Sequence, residues 1–232
     1  MLQISSMANI VIPKEALQFL EQLKKNNTRE WFADHKSEFK GLLEEVKKFY
    51  EELKELMNSH DTIEKLKMFR IYRDVRFSPD KSPYQPHFAG SFSRAGARLR
   101  GGYYLKIKPG ESFIATGFWG PEKDDLLRIR KELEQDASEF RKIIGAADFK
   151  QLWGELQGEE VKTAPKGFDK GHKDIDLIRK KQFIFVKSFK DKEVLSSDFL
   201  EKINISFKAI RPYFDFMSEV LTTNINGESI VN

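Results

Sequence analysis

Between Met57 and Met68 the spacing of apolar residues changes from helical to alternating, and this switch restricts the chain to folds in which amphipathic helices cover a sheet. From Ser37 to Met57, apolar residues including Phe39, Leu42, Val46, Phe49, Leu53 and Leu56 recur at three- and four-residue steps, with Glu and Lys on the opposite face. That spacing predicts a helix of about five to six turns. From Met68 the period is two: Phe69, Ile71, Val75 and Phe77 fall on one face of an extended segment, and Arg70, Tyr72, Asp74 and Arg76 on the other. His87–Arg94, Tyr103–Lys108 and Ser112–Trp119 read as further strands. Pro109-Gly110-Glu111 joins the last two as an antiparallel hairpin. Phe183–Phe189 is apolar on both faces near its centre, as a buried strand is.

The remaining elements are helical. Pro13–Lys25 reads as a first helix, and Thr28 as the N-cap of a short turn carrying Trp31 and Phe32. Gly120-Pro121 opens a helical stretch over residues 122–144 with a break near Asp136. Phe149–Leu156 fits neither period clearly. A short strand beginning at Val161 is one reading, followed by a loop over 165–173 and one or two helical turns over 174–181. Ser196-Ser197-Asp198 offers an N-cap for a last helix running to about Leu221, which Pro212 kinks or breaks. No linker or repeat divides the chain. The expectation is an α+β fold: one domain over residues 1–232, with frayed ends at 1–12 and 222–232. An antiparallel sheet of about five strands would be covered by the N-terminal and C-terminal helices.

Composition excludes several classes. There is no Cys, so disulfides and thiolate chemistry are ruled out. No apolar run approaches the roughly 20 residues that span a bilayer, and Met1–Asn9 lacks the basic and apolar regions of a signal peptide. No membrane and a cytoplasmic location are the expectations. Charge is unevenly distributed. Residues 65–108 hold eleven Lys or Arg against Asp74 and Asp80 alone, a field that favours phosphate, carboxylate or nucleic acid unless acidic helices neutralise it.

The densest polar stretch runs from Arg70 to Tyr84. Arg70, Arg73 and Arg76 offer paired guanidinium donors matching phosphate or carboxylate. Lys81 adds a point charge, and Asp80 joins them in the ligand-binding set. Asp74, Tyr84 and His87 are the candidate proton-transfer groups. In an extended segment Arg73 falls on the apolar face, where an unpaired charge is costly. It therefore pairs with a carboxylate, or the strand bulges or ends there.

The pattern R-x-x-R-D-x-R-F-x-x-D-K-x-x-Y over these residues resembles the hallmark of a family of uncharacterised bacterial and fungal proteins, domain of unknown function 2461. Matching parts are Asn26-Asn27-Thr28-Arg29-Glu30-Trp31-Phe32 with His35-Lys36, the Tyr103-Tyr104 strand, and Pro165-Lys166-Gly167-Phe168 followed by His172. The resemblance covers roughly Ile12 to Phe189. It implies boundaries and motif positions, and no activity, substrate or cofactor.

His35, His87 and His172 could converge with Asp74 or Asp80 on a metal, but no H-E-x-x-H spacing demands it, and no metal site is assigned. Tyr103, Tyr104, Phe113, Phe118 and Trp119 form either a platform for bases or, more simply, part of the core. The functional expectation is binding of a small anionic or phosphorylated ligand at the arginine-rich site, with acid–base catalysis as an extension. The alternatives are a non-catalytic nucleic-acid or protein interaction module using the basic face, and a purely structural Arg/Asp network. The sequence names no cofactor and no oligomeric state.

Overall fold

The computed structural model describes residues 10–224 and 226–231. In chain order the elements are α1 (Lys14–Lys25), α2 (Arg29–Asp34), α3 (Lys36–Met57), β1 (Ile63–Met68), β2 (Phe88–Arg94), β3 (Gly102–Ile107), β4 (Ser112–Phe118), α4 (Lys123–Gln135), α5 (Ser138–Gly145), α6 (Ala147–Trp153), α7 (Ile175–Ile178), β5 (Phe183–Phe189), α8 (Asp191–Val194), α9 (Phe199–Ala209) and α10 (Arg211–Thr222). The five strands form an antiparallel sheet in sequence order. This is the α+β architecture that the alternating and helical periods predict.

Local chemistry explains the helix boundaries. The Thr28 hydroxyl accepts the Trp31 backbone N–H at 3.2 Å and caps α2. Asp136 is extended, and its carboxylate accepts the Ser138 N–H at 2.9 Å, which separates α4 from α5. Pro212 sits in the first turn of α10, where its missing N–H costs nothing, so the predicted last helix is two.

Every second side chain of the sheet faces the helices. Phe39 of α3 stacks on Phe88, and Tyr50 lies over Phe92 and Gly90. A Cβ at position 90 would sit 2.8 Å from the Tyr50 ring, so glycine is what lets α3 approach. Tyr103 meets Phe207 and Phe214, and Phe185 meets Phe149 and Tyr213. These residues belong to one hydrophobic cluster that runs from Ile12 to Leu221.

Several expectations are corrected. The extended segment from Met68 to Phe77 is not a strand: β1 ends at Met68, and residues 69–87 form an irregular loop before β2. Alternation was present without a neighbouring strand to pair its backbone. Pro79, Pro83 and Pro86 each remove a donor N–H, and only an isolated Tyr72–Tyr84 bridge remains. Phe77, placed on the apolar face by its period, is 94% exposed. Trp119 lies just beyond β4 and is exposed. Phe149–Leu156 resolves into α6. The Val161 strand reduces to isolated bridges, Gln157 with Ile184 and Glu160 with Lys180.

The ends are also tighter than expected where they are described. Ile12 is 1% exposed, and Thr223 bridges to Ser229. The reading of residues 1–9, 225 and 232 lies outside the described residues.

Candidate functional site

The 69–87 loop is closed at its base by backbone pairing and by α2. The Arg73 N–H donates to the Pro83 carbonyl at 2.9 Å, and the Gln85 N–H to the Ile71 carbonyl at 2.7 Å. Asn27 clamps the return arm: its amide donates to the Tyr84 carbonyl at 3.0 Å and accepts the Tyr84 N–H at 3.1 Å. Phe32 stacks on the buried Tyr84 ring, centroids 4.1 Å apart. The two stretches that suggested a family therefore meet in space, one bracing the other.

Within the loop most charges answer one another. Arg76 grips Asp74 through Nε and Nη2, the latter at 2.6 Å, and these bonds hold the Asp74 carboxyl below its usual range. Arg73 pairs with Asp80. Asp80 also accepts from the Ser82 hydroxyl and N–H, whose bonds lower its pKa. Lys81 Nζ donates to the Val75 carbonyl at 2.9 Å. Arg70 is exposed and makes no ion pair among the described residues. Burial pushes the Tyr84 hydroxyl up. Of the proposed proton-transfer groups, Asp74 is thus bound to Arg76 and Tyr84 is packed under α2. The His87 ring and the Tyr84 hydroxyl make no hydrogen bond among the described residues, and of the two only His87 is not stacked under Phe32.

His87 lies at the mouth of β2 in a cationic neighbourhood. Its pKa is lowered to about 4, first by burial and then by Lys106, Lys108 and Arg73, with Glu111 opposing. The imidazole is therefore neutral at physiological pH. Lys106 is itself pulled down by burial and by Lys108. Lys108 bonds Glu111 at 2.6 Å. A cleft of about 520 Å³ at this end of the sheet is lined in part by Lys24, Lys25, Pro86 and Lys108. A larger cavity of about 890 Å³, lined by Ile143, Phe149, Lys208 and Pro212 among others, contains no residue of the loop.

The sheet face turned away from the helices leads from this cluster. One row across it is Phe69, Ala89, Lys106 and Phe113; the next is Lys67, Ser91, Tyr104 and Ala115; a third is Lys65, Ser93, Gly102 and Gly117. Tyr103 and Phe118 lie in the core, so only part of the proposed aromatic platform is on this side. The platform also gains Phe69, whose two-residue spacing from Lys67 and Lys65 puts all three on one face and was the signal that could have found it.

The eleven cations of residues 65–108 divide by role. Arg94 is the one sequence reasoning missed. Its side chain is 0% exposed, and Nε lies 2.8 Å from the Asp61 carboxylate, itself 1% exposed. Asp61 also accepts from the Tyr103 hydroxyl at 2.6 Å and pairs with Arg211 at 3.0 Å. Arg94 donates to the Arg100 carbonyl at 2.7 Å. This network joins β2 and β3 to α10 and is structural. Its sequence signal was slight: an Arg at an inward strand position and an Asp just after α3.

The histidines do not converge. His35 stacks on Trp31 with centroids 3.9 Å apart, His60 bonds Asn204 at 2.9 Å, and His172 Nδ1 accepts the Asp174 N–H at 3.1 Å. Among the described residues no group of three or more His, Asp or Glu side chains is gathered as a metal would require. No helix among them is long and apolar enough to cross a membrane.

No curated protein and no solved structure matches the chain. One family does, over residues 15–216, which takes in the bracing α2, the loop, the whole sheet and half of α10. The chain belongs to the family described as conserved hypothetical protein (DUF2461).

Proposed function

We propose that the protein binds a phosphate-bearing anion at the end of the sheet where Arg73, Lys106 and Lys108 surround His87. The observation that carries this reading is that the half-buried His87 ring lies among Arg73, Lys106 and Lys108, of which Arg73 is paired with Asp80 and Lys108 with Glu111, while Lys106 makes no ion pair among the described residues. A phosphate seated there would relieve repulsion among like charges and accept from guanidinium and ammonium donors. Arg70, exposed on the same loop and without an ion pair among the described residues, adds a further donor, and the neighbouring cleft is lined by Lys24, Lys25 and Lys108 together with Glu21 and Asp191. Asp80 is the internal competitor: an incoming anion exchanges it for itself on Arg73. Arg76 and Lys81 are held within the loop and shape it. Acid–base catalysis is not part of the proposal, because Asp74 is engaged by Arg76 and Tyr84 is packed against Phe32. A cytoplasmic location accompanies it, in keeping with a chain that has no Cys.

Calorimetric titration with inorganic pyrophosphate tests the reading. Arg70→Ala and Lys108→Ala are expected to weaken binding several-fold each while melting temperature holds, since both side chains reach solvent. Unchanged affinity in both variants, or no heat from wild-type protein at low salt, would overturn it.

A further inference from the structure

An antiparallel sheet covered on one face ordinarily shows water a polar second face. Here that face carries three aromatic rings in contact with one another. Phe69 and Tyr104 lie 6.1 Å apart between centroids, and Tyr104 and Phe113 5.7 Å. Phe69 is 42% exposed, and Tyr104 and Phe113 are half-buried by their neighbours on the sheet. The positions between them are small, Ala89, Ser91, Ala115 and Gly117, and the two alanines are covered, 1% and 0% exposed, so the rings and lysines form the outer surface there. Lysines accompany the rings: Lys67 Nζ lies 5.4 Å from the Phe69 centroid, and Lys106 Nζ the same distance from that of Phe113. No acidic side chain occurs in the three rows of this face.

We propose that this face binds single-stranded RNA, with bases stacked on Phe69, Tyr104 and Phe113 and phosphates held by Lys65, Lys67 and Lys106. Rings offer stacking to any base, and lysines at their margins meet the backbone that runs beside stacked bases. The absence of carboxylates from the rows makes the charge complementarity one-sided. An apolar protein partner would leave three lysines facing it without counter-charges. Ser91 and Ser93 place two hydroxyls beside Tyr104 and Lys65, and neither makes a hydrogen bond among the described residues. They are suited to a ribose 2′-hydroxyl, which selects RNA over DNA. The inference goes beyond the anion site at His87 and does not rest on it, although Lys106 borders both.

Fluorescence anisotropy with a labelled single-stranded oligoadenylate tests it on the full chain. Wild-type protein is expected to bind with strong salt dependence. Phe69→Ala is expected to weaken binding by roughly tenfold, Tyr104→Phe to preserve it, and the Lys65→Glu/Lys67→Glu pair to weaken it and flatten the salt dependence. All these variants keep Arg73 and Lys108, so a failed pyrophosphate site would not mask the result. Phe69 and both lysines are exposed, and thermal melting confirms that each variant remains folded. Binding unchanged in Phe69→Ala and in the lysine pair, equal binding of duplex RNA or of single-stranded DNA, or no binding by wild-type protein at low salt would overturn the proposal.

Discussion

Replacing Asp61 by Asn removes one negative charge from a buried ion-pair network while preserving its shape. In the native protein this carboxylate accepts from Arg94, Arg211 and Tyr103 within 2.6–3.0 Å. An amide can accept from one of them through its oxygen, but its NH2 group opposes the others. Arg94 cannot reach water to compensate, because its side chain is wholly enclosed. Its other near carboxylate, Asp215, lies 3.5 Å from Nη2 and is more than half exposed. Removing one partner of such a pair costs about 3–5 kcal/mol. For a chain of this size each kcal/mol lowers the melting temperature by about 2–4 °C, so Asp61→Asn should melt about 6–20 °C below wild type. Calorimetric melting measures this, with Arg76→Ala as the surface control. The Arg76 pair with Asp74 is open to solvent, and breaking it should leave the melting temperature unchanged. An Asp61→Asn protein that melts with wild type would refute the assignment of this network as the tie between sheet and α10.

Asn27→Ala deletes both hydrogen bonds to the Tyr84 backbone and should cost about 1–3 kcal/mol in urea unfolding, with faster proteolysis inside residues 69–87. His87 gives a pH dependence of defined sign. Its folded pKa, about 4, lies below the unfolded value near 6.5, so the unfolded chain takes up the proton first. This contribution to stability is complete above about pH 6.5 and is lost as pH falls toward 4. His87→Gln should flatten the stability profile in that window, measured by urea midpoints across pH. Gly117→Ala should destabilise by more than about 1 kcal/mol, because position 117 has φ +119° and a Cβ there would strike the Phe183 carbonyl.

The helices were legible because their periods and stops are local properties: Thr28, Asp136 and Pro212 each act through their own neighbours. Strands β2 to β4 were legible as short apolar segments between turn residues, and β5 as a segment apolar on both faces. The 69–87 loop was not, because alternation states which side chains would share a face but not whether a backbone partner exists. Ile71 keeps its buried place without a strand, in the same hydrophobic cluster as Phe32 and Tyr84. Arg73 illustrates the candidate site in miniature. Its need for a carboxylate followed from charge, but the choice of Asp80 depended on how three prolines turn the chain. Which of eleven cations is entombed depends on tertiary placement. Arg94 and Arg98 look alike in sequence, yet one is the centre of a buried network and the other is exposed.

The proposed seat for a phosphate-bearing ligand is the sheet end around His87. Titration of the His87 ring by NMR, with and without inorganic pyrophosphate, tests it most directly. A bound anion offsets Arg73, Lys106 and Lys108 and stabilises the imidazolium, so the pKa should rise from about 4 toward the ordinary value when pyrophosphate is added. Identical titration curves with and without the anion would contradict the claim.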